Sequence, residues 1–189
     1  MLGLSPSSPH KSRVQSIAAT MGRYDRIFFC GSLGNALAAK VANNYIAVIN
    51  LLATAEAMNI GIRSGIDKHT MYDIIHNSTG QNFMGDVVCP VPGVLKNAPS
   101  SNGYSLGFRT EMMPKDLGLA IEQADKVGAK LVLGGPTIDL YRTAGEDPRC
   151  RVCFSSIRQC QANYVQGKDG SSIWLYMDGP VDDEFKDKV

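Results

Sequence analysis

Lys40 and Asn44 stand one helical turn apart in Gly34-Asn35-Ala36-Leu37-Ala38-Ala39-Lys40-Val41-Ala42-Asn43-Asn44-Tyr45, a stretch otherwise so apolar that an ammonium beside amides stands out. Side chains at i and i+4 share one face of a helix. A lysine flanked by apolar residues at 41, 42, 46, 48 and 49 is partly desolvated if that helix packs. Desolvation lowers a lysine's pKa toward the range useful for proton transfer. The carboxamide of Asn44 can then hold a substrate beside it. The alternative is a lysine that snorkels to water, with Asn43 and Asn44 at a helix–helix contact.

Lys115 is the second candidate. Pro114 suits the first turn of a helix running through 116–126 and closed by Gly128, which places Lys115 in that first turn. A cation there opposes the helix dipole, at a cost of roughly a few tenths of a kcal/mol unless something anionic lies nearby. Either an anionic ligand answers it, or Lys115 is an exposed residue paired with Asp116 or Glu111.

The elements that must carry these residues follow from periodicity. One helix over 35–62 is the simplest reading, about 42 Å long. Residues 41–55 carry no charge, are interrupted by Asn43, Asn44 and Asn50, and are too few to span a bilayer, so a helix buried on all sides is expected. Asp67 can cap a following helix through Met71, Ile74 and Ile75, with Gly80 as its stop. Prolines and glycines make 87–108 a loop, and 131–144 reads as another helix beginning near Pro136. Ahead of the long helix, 1–30 reads as strand, helix over 11–21, and strand at Ile27-Phe28-Phe29-Cys30. The fold class is mainly α, behind a short βαβ remnant.

Composition narrows the partners. Nineteen basic against eighteen acidic residues leave a net charge of +1, with no long like-charge block, which argues against nucleic acid or an anionic membrane surface. A small neutral or anionic ligand stays open. Met1-Leu2-Gly3-Leu4 is too short for a secretory core, so a reducing compartment is expected for the five cysteines. Cys150-x-x-Cys153 with Cys160 has no fourth ligand nearby, since His10, His69 and His76 lie far upstream, and no metal site is assigned. Asn77-Ser78-Thr79 reads as a helix end rather than a glycosylation site. No Gly-x-Gly-x-x-Gly occurs.

Four blocks in order carry a resemblance. They are Cys30-Gly31-Ser32-Leu33-Gly34 leading through Ala39-Lys40-Val41-Ala42-Asn43-Asn44 to Ala53-Thr54-Ala55-Glu56-Ala57-Met58-Asn59-Ile60-Gly61; Pro90-Val91-Pro92-Gly93-Val94; Gly107-Phe108 with Met113-Pro114-Lys115-Asp116-Leu117-Gly118-Leu119-Ala120; and Lys168-Asp169-Gly170-Ser171-Ser172-Ile173-Trp174. The chain resembles the 3-hydroxyisobutyrate dehydrogenases of the β-hydroxyacid dehydrogenase family. The resemblance implies the end of a Rossmann nucleotide-binding domain over 1–33 and a helical, 6-phosphogluconate-dehydrogenase-like domain for substrate and dimerisation over 34–144. It leaves an insertion without counterpart at 145–166 and a terminal segment at 167–189. The first strands of the nucleotide-binding domain have no counterpart, so a fragment or a late-starting gene model is expected.

The resemblance also implies roles. Lys40 matches the family's catalytic lysine, a base in oxidation and an acid in reduction, and Asn44 matches the substrate-orienting asparagine. Asn43 matches in type, although a structural hydrogen bond across helices suits it better. Lys115 matches a lysine that approaches the cofactor, NAD or NADP, and Phe108 lies at the same rim or in the core. The substrate implied is 3-hydroxyisobutyrate or another small hydroxy acid, in valine breakdown, with a mitochondrial location or, alternatively, a cytoplasmic one. Homo-oligomerisation through the long helix is implied as well. A non-catalytic helical dimerisation module is the other functional class. Ala36 replaces a glycine of the family pattern, and Gln81-Asn82-Phe83 replaces its arginine, cysteine and tryptophan.

Overall fold

A computed structural model describes residues 1–104 and 107–146. Helix α1 spans Lys11–Ala19, α2 Asn35–Arg63, α3 Lys68–His76, α4 Met113–Lys126 and α5 Gly134–Glu146. The expected helix over 35–62 therefore forms almost residue for residue. Alanine-rich sequence favours it. Its end is built by Gly65 at φ +88: Ile66 N–H donates to Gly61 C=O at 3.0 Å and Gly65 N–H to Ile62 C=O at 2.9 Å. That is a Schellman closure, which a left-handed glycine makes without steric cost.

Strand, helix, strand is reduced here to helix α1 and one isolated parallel bridge between Leu2 and Phe29. Leu2 N–H donates to Phe28 C=O at 2.7 Å and Cys30 N–H to Leu2 C=O at 2.8 Å, but no strand forms among the described residues. Two short parallel segments without further neighbours have too few partners for a ladder. The helix expected over 11–21 stops at Ala19. Asn35 ties this part to α2 by donating its Nδ2–H to Cys30 C=O at 2.9 Å.

Asp67 caps α3 as its position predicts, accepting from the backbone N–H groups of His69 and Thr70. The stop comes earlier than Gly80, at Asn77, whose Nδ2–H returns to Asp73 C=O at 2.8 Å. A π-turn over Met84–Val88 runs into the segment read as loop, which itself contains a 3-10 turn over Pro99–Asn102. Gln81 and Asn82 anchor the first of these. Gln81 donates to Asp86 at 3.1 Å, and Asn82 donates to Thr54 Oγ1 at 3.1 Å while accepting from Gly85 N–H. The departures at 81 and 82 thus make their own packing.

The main core joins Val48, Leu51 and Ala55 of α2 to Met113 and Leu117 of α4 and to Ile138, Tyr141 and Ala144 of α5, with Met84 beside them. Tyr141 is fully buried and donates its hydroxyl to Val48 C=O at 3.3 Å. Burial also pushes its phenol well above the usual range. A second cluster of Met58, Cys89 and Val91 receives α3 through Met71, Tyr72 and Ile75. Gly61 is the contact point there, because a Cβ on it would run into the Met71 side chain.

Burial of α2 on all sides is not what the chain shows. Val41, Val48, Leu51, Ala55 and Met58 form its inner stripe, whereas Leu37, Ile46 and Ile60 are exposed at 58%, 59% and 69%. The described elements cover one side of this helix. Nor does length exclude a bilayer, since α2 contains an 18-residue window of mean hydropathy 1.4. The packing of α4 and α5 on its stripe is that of a core helix.

Candidate active site

The inner stripe of α2 runs 41, 48, 51, 55, 58, and Asn44 falls on the same spacing of three and four. A polar amide in an apolar stripe needs a partner when it packs. Asn44 is half-buried and donates its Nδ2–H to Asp116 Oδ2 of α4 at 3.0 Å. Met113 and Leu117, both buried, hold the first turn of α4 against α2. Asp116, three positions after Met113 and next to Leu117, is thereby carried to the α2 face, whereas Lys115, two positions from each, is exposed on the other side of α4. One hydrogen bond thus joins the two regions that spacing alone had left separate.

Lys40 lies one turn before Asn44 and is exposed, so the desolvation expected from its apolar neighbours is absent among the described residues. Helical phase turns 42, 43 and 46 outward, whereas Lys40 shares the phase of Asn44 and Leu51 and is exposed toward the N-terminal end of α2, ahead of the core residues Val48, Leu51 and Ala55. Asn43 is exposed too and makes no cross-helix hydrogen bond among the described residues. The bond assigned to it belongs to its neighbour Asn44. Lys115 is exposed and forms no ion pair among the described residues, because Asp116 is bound to Asn44 and Glu111 pairs with Arg109 at 2.8 Å. Phe108 is exposed rather than core.

The arrangement joins an amide and a carboxylate across α2 and α4, with Lys40 one turn before the amide on α2 and Lys115 next to the carboxylate in sequence. Such a set suits an anionic ligand that also carries a hydroxyl. Asp116 is the residue that sequence reasoning did not single out. Its signal was present in the block Met113-Pro114-Lys115-Asp116, but nothing in the spacing reveals a partner 72 positions away. No group of three or more metal-ligating side chains occurs among the described residues, and Cys150, Cys153 and Cys160 lie outside them.

A sequence model described as the NAD-binding part of NADP-dependent 3-hydroxyisobutyrate dehydrogenase matches residues 34–173. The chain belongs to this family. The mitochondrial 3-hydroxyisobutyrate dehydrogenase of Rattus norvegicus is 39% identical over 145 residues, covering 77% of this chain and 43% of that protein. The NAD-dependent L-serine dehydrogenase of Pseudomonas aeruginosa is 38% identical over 130 residues, again covering 43% of its length. Among solved structures, 3-hydroxyisobutyrate dehydrogenase from Mycobacterium tuberculosis with L-serine superposes with a TM-score of 0.71 at 32% identity, over 81% of this chain and 51% of that one. The chain thus spans about half, or less, of the proteins it matches. Family membership agrees with the mainly helical fold and with the order of the four sequence blocks.

Proposed function

We propose that this chain supplies the helical part of a nicotinamide-dependent dehydrogenase acting on 3-hydroxyisobutyrate or a closely related β-hydroxy acid. The observation that carries it is the Asn44–Asp116 hydrogen bond, which ties the turn of α2 that follows Lys40 to the first turn of α4. When bound, the cofactor accepts the hydride lost from the carbinol carbon. Lys40 takes the hydroxyl proton in that direction and returns it in the other, where its ammonium also polarises the carbonyl oxygen. Asn44 orients the substrate hydroxyl beside Lys40. Lys115, a cation without an ion-pair partner among the described residues in the first turn of α4, fits an anionic cofactor.

The residues over 1–33 read as the end of the nucleotide-binding domain, and 34–144 as the substrate and dimerisation domain. A mitochondrial location is supported by relatives named as mitochondrial, with a cytoplasmic one as the alternative, and a role in valine breakdown rests on the family resemblance alone. NAD is the favoured cofactor, given the relative named as NAD-dependent, and NADP stays open because the family description names it. The exposed Leu37, Ile46 and Ile60 favour one second reading, a helical module that pairs with another copy and carries out no chemistry itself.

Fusing a complete nucleotide-binding domain ahead of this chain separates the readings. In that enzyme, Lys40→Ala is expected to cut turnover by about a hundredfold or more with cofactor affinity nearly unchanged. Lys115→Ala is expected to weaken the cofactor while sparing turnover at saturation. Equal turnover of wild type and Lys40→Ala would remove Lys40 from its role. The chain alone is expected to show no alcohol oxidation with NAD or NADP.

A further inference from the structure

The carboxamide of Asn44 can serve a ligand in two ways, with its carbonyl oxygen or with its amide protons, and a free side chain would interconvert them by rotation. Asp116 removes that freedom. An ionised carboxylate only accepts, so the end of Asn44 that meets Asp116 Oδ2 at 3.0 Å must be the amide nitrogen. Oδ1 cannot take that place, because two oxygen acceptors at hydrogen-bond distance repel. Asn44 and Asp116 are both half-buried, so the bond is partly shielded from competing water. The carboxylate is itself held in place, since Met113 and Leu117 on the same helix are 4% and 1% exposed.

We propose that Asp116 is the positioning residue of this site. It acts through Asn44, fixing which end of that carboxamide is left to the substrate beside Lys40. This rests on the roles proposed above for Lys40 and Asn44. Asp116 needs no contact with the reacting atoms. Its charge is not the point either; an acceptor at Oδ2 is.

Two measurements test this. In the 189-residue chain, the Asn44 side-chain amide is followed by 15N NMR. The two Nδ2 protons are expected to be strongly inequivalent, with one shifted downfield, and Asp116→Leu is expected to abolish the shift while Asp116→Asn keeps most of it. An Asn44 amide indifferent to both substitutions overturns the proposal, whatever the catalytic outcome. In the fused enzyme, Asp116→Ala is expected to lower kcat by about tenfold without changing the cofactor KM, and Asp116→Asn to restore most of it. In an Asn44→Ala background, Asp116→Ala is expected to cost nothing further, because a residue acting only through Asn44 has nothing left to position.

Effects that multiply independently, or an Asp116→Asn as poor as Asp116→Ala, would show a direct or purely electrostatic role and overturn the proposal. The two failures are separable. Loss of the Lys40 role shows in Lys40→Ala turnover with the NMR result intact, whereas loss of the positioning role shows in the amide signal or in additive kinetics with Lys40 still required.

Discussion

At the residue scale, exposed Lys40 differs from the desolvated lysine that its neighbours in sequence imply. Asp86 is tuned within the chain. Its hydrogen bond with His76 Nδ1 at 2.7 Å holds its carboxyl below the ordinary 3.8, with Gln81 adding a second bond, while the Tyr72 ring stacks on His76 with centroids 5.6 Å apart. A carboxyl lowered by folding contributes stability that is fully present above its unfolded value and is lost as pH falls through the folded one. Asp86→Asn is therefore expected to lower the Tm at neutral pH. The gap from wild type should close as pH falls below 3.8 toward about pH 2, as read by thermal melts across that range. A constant gap down to the acid end would show that the ion pair contributes nothing to it.

At the element scale, α2 is the frame on which α4 and α5 are laid. Leu51, fully buried at its centre, lies in one core cluster with residues of both. Leu51→Ala is expected to destabilise the fold by about 3 kcal/mol, because it deletes packing atoms from a site that cannot collapse around the gap. Tyr141→Phe keeps the ring and loses only the hydroxyl bond to Val48, so urea unfolding should register a loss of about 1 kcal/mol. Gly65 at φ +88 is a different kind of constraint, one of backbone and not of contact. Gly65→Ala should cost about 1 kcal/mol by placing a Cβ in the left-handed region, and a neutral result would mean the closure of α2 is dispensable.

At the scale of the whole molecule, the described elements leave one side of α2 uncovered. Ile46 and Ile60, 59% and 69% exposed, share that side, and Leu33 and Leu37 are exposed at the N-terminal end. A chain this size with such an exposed side is expected to self-associate at micromolar concentration, which light scattering would detect. Ile46→Glu, remote from the stripe that holds the core, should shift the population toward monomer without lowering stability by more than about 0.5 kcal/mol. A monodisperse wild-type monomer would count against association through this helix.

What the amino-acid sequence determined by itself was local: the extent of α2, the cap at Asp67, the proline at the start of α4 and the family pattern around Lys40 and Lys115. Each depends on residues within a few positions of one another, where spacing and backbone preference decide. The apolar runs within 1–30 form one bridge and no strand for the same reason, since an apolar run states a tendency to pair but not whether partners exist. Which way each face of α2 points was not local. Only tertiary packing turned Val41 inward and left Lys40 outside, and only it took Asn44, rather than Asn43, into contact with Asp116. That hydrogen bond links residues 72 apart, and a bond of that span exists only once α4 has closed on α2.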